Sequence, residues 1–171
     1  MKNIITIVAF AFVLSLPTTC RSDYDLPYPD TVETIKNLMP AISSNVRKEV
    51  YGNIKFNNCI LEYSVAGFYP VGTPYNKSYS NIDLASLNPE NSKTGADSSD
   101  YILLYFNKPL DLLDGTLQRT TNVVVIDASS NERAQTLFEA FLHLGELCRA
   151  GAGPLARKPP QGAARVKADP K

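Results

Sequence analysis

The stretch NERAQTLFEAFLHLGELCRA, residues 131–150, has the clearest pattern in this 171-residue chain. Its apolar residues recur at steps of three and four, the spacing that places side chains on one face of an α-helix. These residues are Ala134, Leu137, Phe138, Phe141, Leu144 and Cys148. Ser129 and Glu132 have the spacing of a capping box, and Gly151 stands where a left-handed residue commonly ends a helix. The sequence therefore predicts an amphipathic helix whose apolar face needs a partner surface.

Three runs before this helix predict strands that supply such a surface. YILLYF, residues 101–106, is continuously apolar and typical of a strand buried on both faces. TNVVVID, residues 121–127, is rich in β-branched residues and leads directly into the helix. IKFNNCILEYSV, residues 54–65, predicts one strand with a bulge at Asn57 and Asn58, because its inward-facing positions change phase there.

The segments between and before these runs predict a shorter strand, two loops and a short helix. The shorter strand ends near Leu84, and the polar run ENSKTGADSSD, residues 90–100, predicts a solvated loop. The leucines that follow Pro109 predict a second loop that folds back onto the body of the protein. Apolar residues at helical spacing predict a short N-terminal helix over residues 32–39.

The order of these elements decides the fold class. A helix, several strands and a helix follow one another without alternation of strand and helix, which predicts an α+β fold. We expect an antiparallel sheet of about four to six strands, packed against the C-terminal helix. With 44% hydrophobic residues, the chain can fill one core of ordinary size. The expected domain therefore covers residues 30–150.

The first twenty residues have the features of a secretory signal peptide. Lys2 precedes an apolar run over residues 4–16, and Pro17 and small polar residues follow. This run is shorter than the roughly 20 residues that a membrane-spanning helix needs. The sequence therefore predicts a signal peptide over residues 1–20 and an exported protein, periplasmic or extracellular. Cys20 is either removed with the signal or is the lipid-modified first residue of a lipoprotein, which would anchor the protein to a membrane.

Two further predictions concern the other two cysteines and the C-terminal segment. If Cys20 is removed, Cys59 and Cys148 remain as an even pair, which in an exported protein predicts a disulfide; the alternative is two buried free thiols. Residues 151–171 are basic and rich in Pro, Gly and Ala, which predicts a disordered tail. Residues 21–148 contain 16 acidic and 10 basic residues, so the expected domain itself is acidic.

The sequence lacks the motifs of catalysis, cofactor binding and metal binding. It has one histidine, His143, no G-x-S-x-G motif and no phosphate-binding glycine loop. Asp97 and Asp100 lack the alternating ligands and distal glutamate of an EF-hand, and no Cys/His cluster suits zinc. The basic tail contains no aromatic residue for stacking on bases. We therefore assign no catalytic residue, cofactor, metal or nucleic-acid partner.

Aromatic residues among turn-forming residues provide the one candidate binding site. Phe68, Tyr69 and Tyr75 lie in or beside a connection punctuated by glycines and prolines. Such aromatics either close over the edge of a core or line a ligand site, since loops on a rigid scaffold frequently bind partners. The first functional hypothesis is therefore a non-enzymatic module that binds a protein or another envelope component, through this loop or an exposed sheet edge.

The second hypothesis is a small hydrolase. Catalytic groups assemble in space, so a site built from His143, Ser78 and Asp97 is compatible with a sequence that has no local catalytic motif. Binding is the preferred hypothesis, because the titratable residues fall mostly in predicted solvated loops.

Four segments together resemble a group of small exported bacterial proteins of uncharacterised function. They are the leading helix, the cysteine-containing run FNNCILEY, the segment IDLASLNP and the final helix RAQTLFEAFLHLGELC. The resemblance covers residues 32–148 and implies a sheet and terminal helix arranged as in pleckstrin-homology-like domains. It implies a fold, and it assigns no functional residue.

Overall fold

The structure is a computed structural model that describes residues 26–39, 47–95 and 100–152. The expected signal peptide, with Cys20, and the expected tail beyond Ala152 lie outside these residues. The described part is α+β, as predicted: one six-stranded antiparallel sheet, a short N-terminal helix and a C-terminal helix.

Two helices and six strands follow one another in the described residues. In chain order they are α1 (Tyr28–Leu38), β1 (Val50–Asn57), β2 (Ile60–Phe68), β3 (Pro74–Asp83), a 3-10 turn (Leu84–Ser86), β4 (Leu87–Thr94), β5 (Tyr101–Asp114), β6 (Leu117–Asp127) and α2 (Asn131–Arg149).

Strand β5 is the centre of the sheet. The strands are arranged in the order β1-β2-β3-β5-β4, and β6 also pairs with β5. The first half of β5 lies beside β4, where Ile102 is opposite Thr94. Its second half lies beside β3, where Leu112 is opposite Tyr79. Because β3 and β4 share one edge of β5, the sheet divides into two regions, and α2 lies against β4, β5 and the 3-10 turn.

Helix α2 contributes the largest block of apolar side chains to the core, and its predicted range is confirmed. Leu137, Phe141 and Leu144 are fully buried, and burial of such side chains contributes about 1.5–3 kcal/mol each. Gly145 allows close approach to the sheet, since a Cβ there would lie 3.1 Å from Leu87 Cδ2 and 3.3 Å from the Leu84 carbonyl oxygen.

The ends of α2 differ slightly from the prediction. Ser130, and not Ser129, is the N-cap, and its hydroxyl accepts a hydrogen bond from the backbone N–H of Arg133 at 3.2 Å. Gly151 follows the helix with a φ of 72°, as expected for a left-handed C-terminal stop.

Helix α1 begins one turn earlier than predicted. Pro27 is the N-cap and Pro29 lies in the first turn, where the fixed φ of proline suits a helix start. Arg133 of α2 then joins the two helices. Its guanidinium donates to the carbonyl oxygens of Asn37 and Leu38 at 2.9–3.1 Å, which satisfies backbone acceptors at the end of α1.

The run predicted as one bulged strand over residues 54–65 is a hairpin. The chain reverses between Asn57 and Ile60, which pair with each other. Asn58 adopts a φ of 52°, a left-handed conformation that asparagine tolerates better than most residues. The change of phase in the sequence is thus the reversal of the chain. Cys59 lies in this turn instead of on a strand face.

Both predicted loops are partly strand. Residues 90–94 belong to β4, a polar edge strand that pairs irregularly with β5. At the irregularity, the Ser92 hydroxyl accepts a hydrogen bond from the Tyr105 N–H of β5 at 2.9 Å. Residues after Pro109 belong to β5, and Pro109 lies where the β5–β6 register shifts. The prediction that residues 101–106 are buried on both faces was also wrong, because buried and half-buried positions alternate there.

Cys59 and Cys148 lie at disulfide distance, as predicted. Their sulfur atoms are 2.10 Å apart and their Cα atoms 5.7 Å apart, across a sequence separation of 89 residues. The pair connects the β1–β2 turn to the last turn of α2.

Candidate binding cleft

The three candidate binding residues come together at one open cleft of about 210 Å³. Phe68 ends β2, Tyr69 follows in the connecting loop, and Tyr75 lies at the start of β3. The Tyr69 N–H donates to the Thr73 carbonyl oxygen at 2.8 Å, which closes the loop. We call this site, lined also by Arg47, Glu49 and Lys77, the aromatic cleft.

Strand alternation explains which side chains of β3 reach the cleft. Tyr75, Lys77 and Tyr79 are separated by two residues and all line it, since alternate residues of a strand share a face. The segment before β1 also lines the cleft, through Arg47 and Glu49. The Phe68 N–H donates to the Arg47 carbonyl oxygen at 2.9 Å, so Arg47 is held beside the aromatic loop.

Glu49 organises the interior of the cleft. Its side chain is only 6% exposed, and its two carboxylate oxygens accept hydrogen bonds from the hydroxyls of Tyr51 and Tyr75. The Tyr51 hydroxyl in turn accepts from the Asp127 N–H at 2.8 Å. A buried carboxylate requires such donors, and here they also fix the positions of the two rings.

Gly67 provides the space that this arrangement needs. A Cβ at this position would lie 2.8 Å from the Tyr75 hydroxyl and 3.0 Å from Glu49 Cγ. Any larger residue would therefore push apart the hydrogen-bonded pair of Tyr75 and Glu49.

Two cations lie at the cleft. The Lys77 ammonium is 4.7 Å from the ring centre of Tyr75 and 5.5 Å from that of Tyr69, within the range of cation–π attraction. Within the described residues, no carboxylate lies within 4.0 Å of it. The half-exposed guanidinium of Arg47 lies 4.0 Å from the carboxylate of Asp127.

The ionisable groups around Glu49 respond to burial and to one another. Burial raises the pKa of Asp127 to about 6, with a further increase from Glu49 and an opposing effect of Arg47. Burial also raises the pKa of the Tyr51 and Tyr75 hydroxyls, and the Glu49 carboxylate adds to both increases. Both hydroxyls therefore stay protonated and act as donors at neutral pH.

No protein-family model, curated protein or solved structure matches this chain. The resemblance to exported proteins with a pleckstrin-homology-like domain stays a prediction. Across residues 26–39, 47–95 and 100–152, neither helix has the length and apolar composition needed to cross a bilayer. In the same part of the chain, no three His, Cys, Asp or Glu side chains are grouped to hold a metal ion.

The residues of the hydrolase hypothesis lie on different elements. His143 is buried on α2, and its Nε2 is 2.6 Å from the Leu26 carbonyl oxygen ahead of α1. Ser78 lies on β3 and lines a shallow groove together with Lys55 and Glu62. Asp97 lies outside the described residues. The hydrolase hypothesis therefore stays a prediction.

Sequence analysis missed most of the polar groups of the cleft. Arg47 and Glu49 precede β1 and Asp127 ends β6, and only the tertiary structure brings these segments to the aromatic residues. The position of Lys77 could have been predicted from the sequence, because Tyr75, Lys77 and Tyr79 alternate along a strand and therefore share one face.

Proposed function

We propose that this protein is a non-enzymatic binding module of the cell envelope, which holds its ligand or partner at the aromatic cleft. The observation that supports it best is the combination of exposed aromatic rings and a concave site. Phe68 and Tyr69 are 43% and 38% exposed, and they line the cleft together with the hydrogen-bonded Glu49. Large apolar groups exposed beside convergent polar groups are typical of binding sites.

The arrangement around Glu49 favours binding over catalysis. Its carboxylate oxygens accept from two tyrosine hydroxyls whose raised pKa values keep them protonated. A carboxylate engaged in this way holds the rings of Tyr51 and Tyr75 in place. The cleft therefore has the rigidity that a binding site needs, since fixed side chains lose little entropy when a ligand binds.

The location in the envelope is part of the proposal. The close pair of Cys59 and Cys148 supports export, because disulfides form and persist in oxidising compartments. With the signal-like residues 1–20, it favours a periplasmic or extracellular location, with Cys20 either removed or lipid-modified as a membrane anchor.

Affinity capture from envelope extracts tests the proposed function. We expect the Phe68→Ala/Tyr69→Ala variant to lose partners that the wild type retains, because the rings line the cleft. Leu113→Ala/Leu117→Ala is the matched control, since these side chains are 44% and 56% exposed in the β5–β6 hairpin. Identical capture by wild type and the aromatic variant would remove the cleft as the binding site.

A further inference from the structure

Among the described residues, the Lys77 ammonium contacts two aromatic rings and has no acidic partner. The rings of Tyr69 and Tyr75 attract it by cation–π contact, and the described residues place no carboxylate within 4.0 Å of it. Cation–π contact compensates only part of the charge of an ammonium, whose three N–H groups are strong donors. The position therefore suits a negatively charged group of a ligand.

Arg47, which also lines the cleft, supplies a second group of donors. Its contact with Asp127, at 4.0 Å, is at the outer limit of an ion pair, and its side chain is 47% exposed. A planar guanidinium has five N–H donors and binds carboxylate or phosphate through two parallel hydrogen bonds. Donors of Arg47 therefore remain for an oxyanion that enters the cleft.

The charge of the cleft differs from that of the surrounding protein. Its lining contains two cations, Arg47 and Lys77, and one carboxylate, Glu49, whose oxygens accept from two tyrosine hydroxyls. Lys48 also contributes to the adjoining surface beside Phe68. The Asp127 carboxylate lies 4.0 Å from Arg47, so the cleft is close to balanced in charge, whereas residues 21–148 as a whole have an excess of acidic residues. The cleft therefore repels an anion less than the rest of the domain does.

The aromatic rings and the volume limit the rest of the ligand. Exposed faces of Phe68 and Tyr69 suit a ring or a short apolar chain. The cleft, at about 210 Å³, is smaller than the roughly 300–1,000 Å³ of sites for drug-sized ligands. It accommodates one ring or one chain end together with its acidic group.

We propose that the ligand of the aromatic cleft is a small organic anion in which an oxyanion lies next to an apolar group. Lys77 and Arg47 bind the oxyanion, and Phe68 and Tyr69 contact the apolar part. This inference rests on the proposed binding function and specifies the chemistry of its ligand. Carboxylates and phosphates share this chemistry, and both enter the test.

Titration with matched probes tests the proposal by calorimetry and by NMR shifts of the backbone amides of residues 67–77. The probes are phenylacetate, phenyl phosphate, inorganic phosphate, neutral phenylacetamide and cationic phenethylamine. We expect phenylacetate or phenyl phosphate to bind at least about tenfold more tightly than the amide and the amine, as charge-assisted hydrogen bonds predict. Inorganic phosphate, which lacks the ring, should bind more weakly than phenyl phosphate, and the tighter of the two aromatic anions identifies the oxyanion.

Substitutions of Lys77 test whether the anions bind at this side chain. Lys77→Gln should weaken binding of the preferred anion about tenfold or more and leave binding of the amide unchanged, whereas Lys77→Arg should retain most of the affinity. Lys93→Gln, at an exposed position of β4, is the control and should bind as the wild type does. Melting temperatures of all variants establish that they are folded.

Three results would overturn the proposal: no binding of either aromatic anion at millimolar concentration, equal binding of the anions and the amide, or full anion affinity in Lys77→Gln. Failure of this inference is distinguishable from failure of the proposed function. If the anions do not bind but Phe68→Ala/Tyr69→Ala still abolishes envelope capture, the cleft binds a partner of different chemistry. If capture is unaffected, the cleft is not the binding site, and the proposed function fails at this site.

Discussion

Asp127 shows how the chemistry of single residues depends on the cleft. The residue ends β6, its side chain is 6% exposed, and its carboxylate faces Arg47 across 4.0 Å. The backbone N–H of the same residue donates to the Tyr51 hydroxyl, which donates to Glu49. Asp127 is thus attached to the cleft through its backbone, while burial makes its side chain harder to ionise.

The raised pKa of Asp127 predicts a specific pH dependence of stability. The ordinary pKa of an aspartate is 3.8, whereas the pKa of Asp127 in the folded protein is about 6, so folding increases the proton affinity of this carboxylate. The resulting stabilisation is complete below about pH 4 and is lost as the pH rises through about 6. Relative to Asp127→Asn, the free energy of unfolding of the wild type should therefore fall by about 2 kcal/mol between pH 4 and pH 7. Urea unfolding of both proteins across this range measures the difference, and a difference that stays constant with pH would contradict the prediction.

At the scale of elements, α2 is the part of the structure on which the others depend. It covers β4 and β5, its Arg133 satisfies carbonyl groups at the end of α1, and its last turn contains Cys148. Loss of its packing would therefore expose the sheet and release α1 together.

Phe141→Asp tests the buried face of α2. Phe141 is fully buried among apolar side chains. The substitution removes the apolar contacts of the ring and buries a charged carboxylate, so we expect the protein to be unfolded at 25 °C. Gln135→Asp introduces the same residue at an exposed position of the same helix and should melt close to the wild type. Circular dichroism during heating measures both. A cooperative melt of Phe141→Asp near the wild-type temperature would mean that the face assigned to the core is wrong.

The elements also show which patterns predict structure from sequence alone. The range of α2 was predictable because its apolar spacing and its end signals agree. Strand β4 was not, since it lies at an edge, pairs irregularly with β5 and presents polar side chains such as Ser92. The β1–β2 hairpin was mistaken for one strand, because Asn58 reverses the chain without the glycine that usually marks such a turn.

The cleft was predictable only in part, because only some of its residues are neighbours in the sequence. The aromatic residues of the β2–β3 connection are neighbours in sequence, so their shared location followed from the chain itself. Glu49 and Arg47 join them, and Asp127 lies beside Arg47, through long-range contacts that local periodicity does not specify.

At the scale of the whole molecule, the cysteine pair connects two distant parts of the fold. Cys59 lies in the β1–β2 turn and Cys148 at the end of α2, so the pair links the first hairpin of the sheet to the helix that covers its other region.

We expect this pair to be a closed disulfide that contributes about 4–5 kcal/mol to the free energy of unfolding, the value of the chain-entropy model for a loop of this length. Non-reducing mass spectrometry of protein exported from cells should give a mass two hydrogens lower than that of the reduced form. Cys59→Ser/Cys148→Ser should melt well below the oxidised wild type and close to the reduced wild type. Two free thiols in the exported protein would contradict the prediction.

With this bond closed, the molecule has an unequal response to mechanical force. A pull on the two chain ends cannot extend the 89-residue separation between the cysteines, which as free chain would add roughly 300 Å of length. Strand β1 precedes Cys59 and lies outside that covalent loop, together with Arg47 and Glu49, whereas Phe68, Tyr75 and Lys77 lie inside it. Tension on the N-terminal side would therefore detach α1, then peel β1 from β2 and open the cleft, while the strands between the two cysteines stay within the covalent loop. For a protein tethered at its N-terminus, α1 would detach first and the cleft would open next, before the rest of the sheet yields.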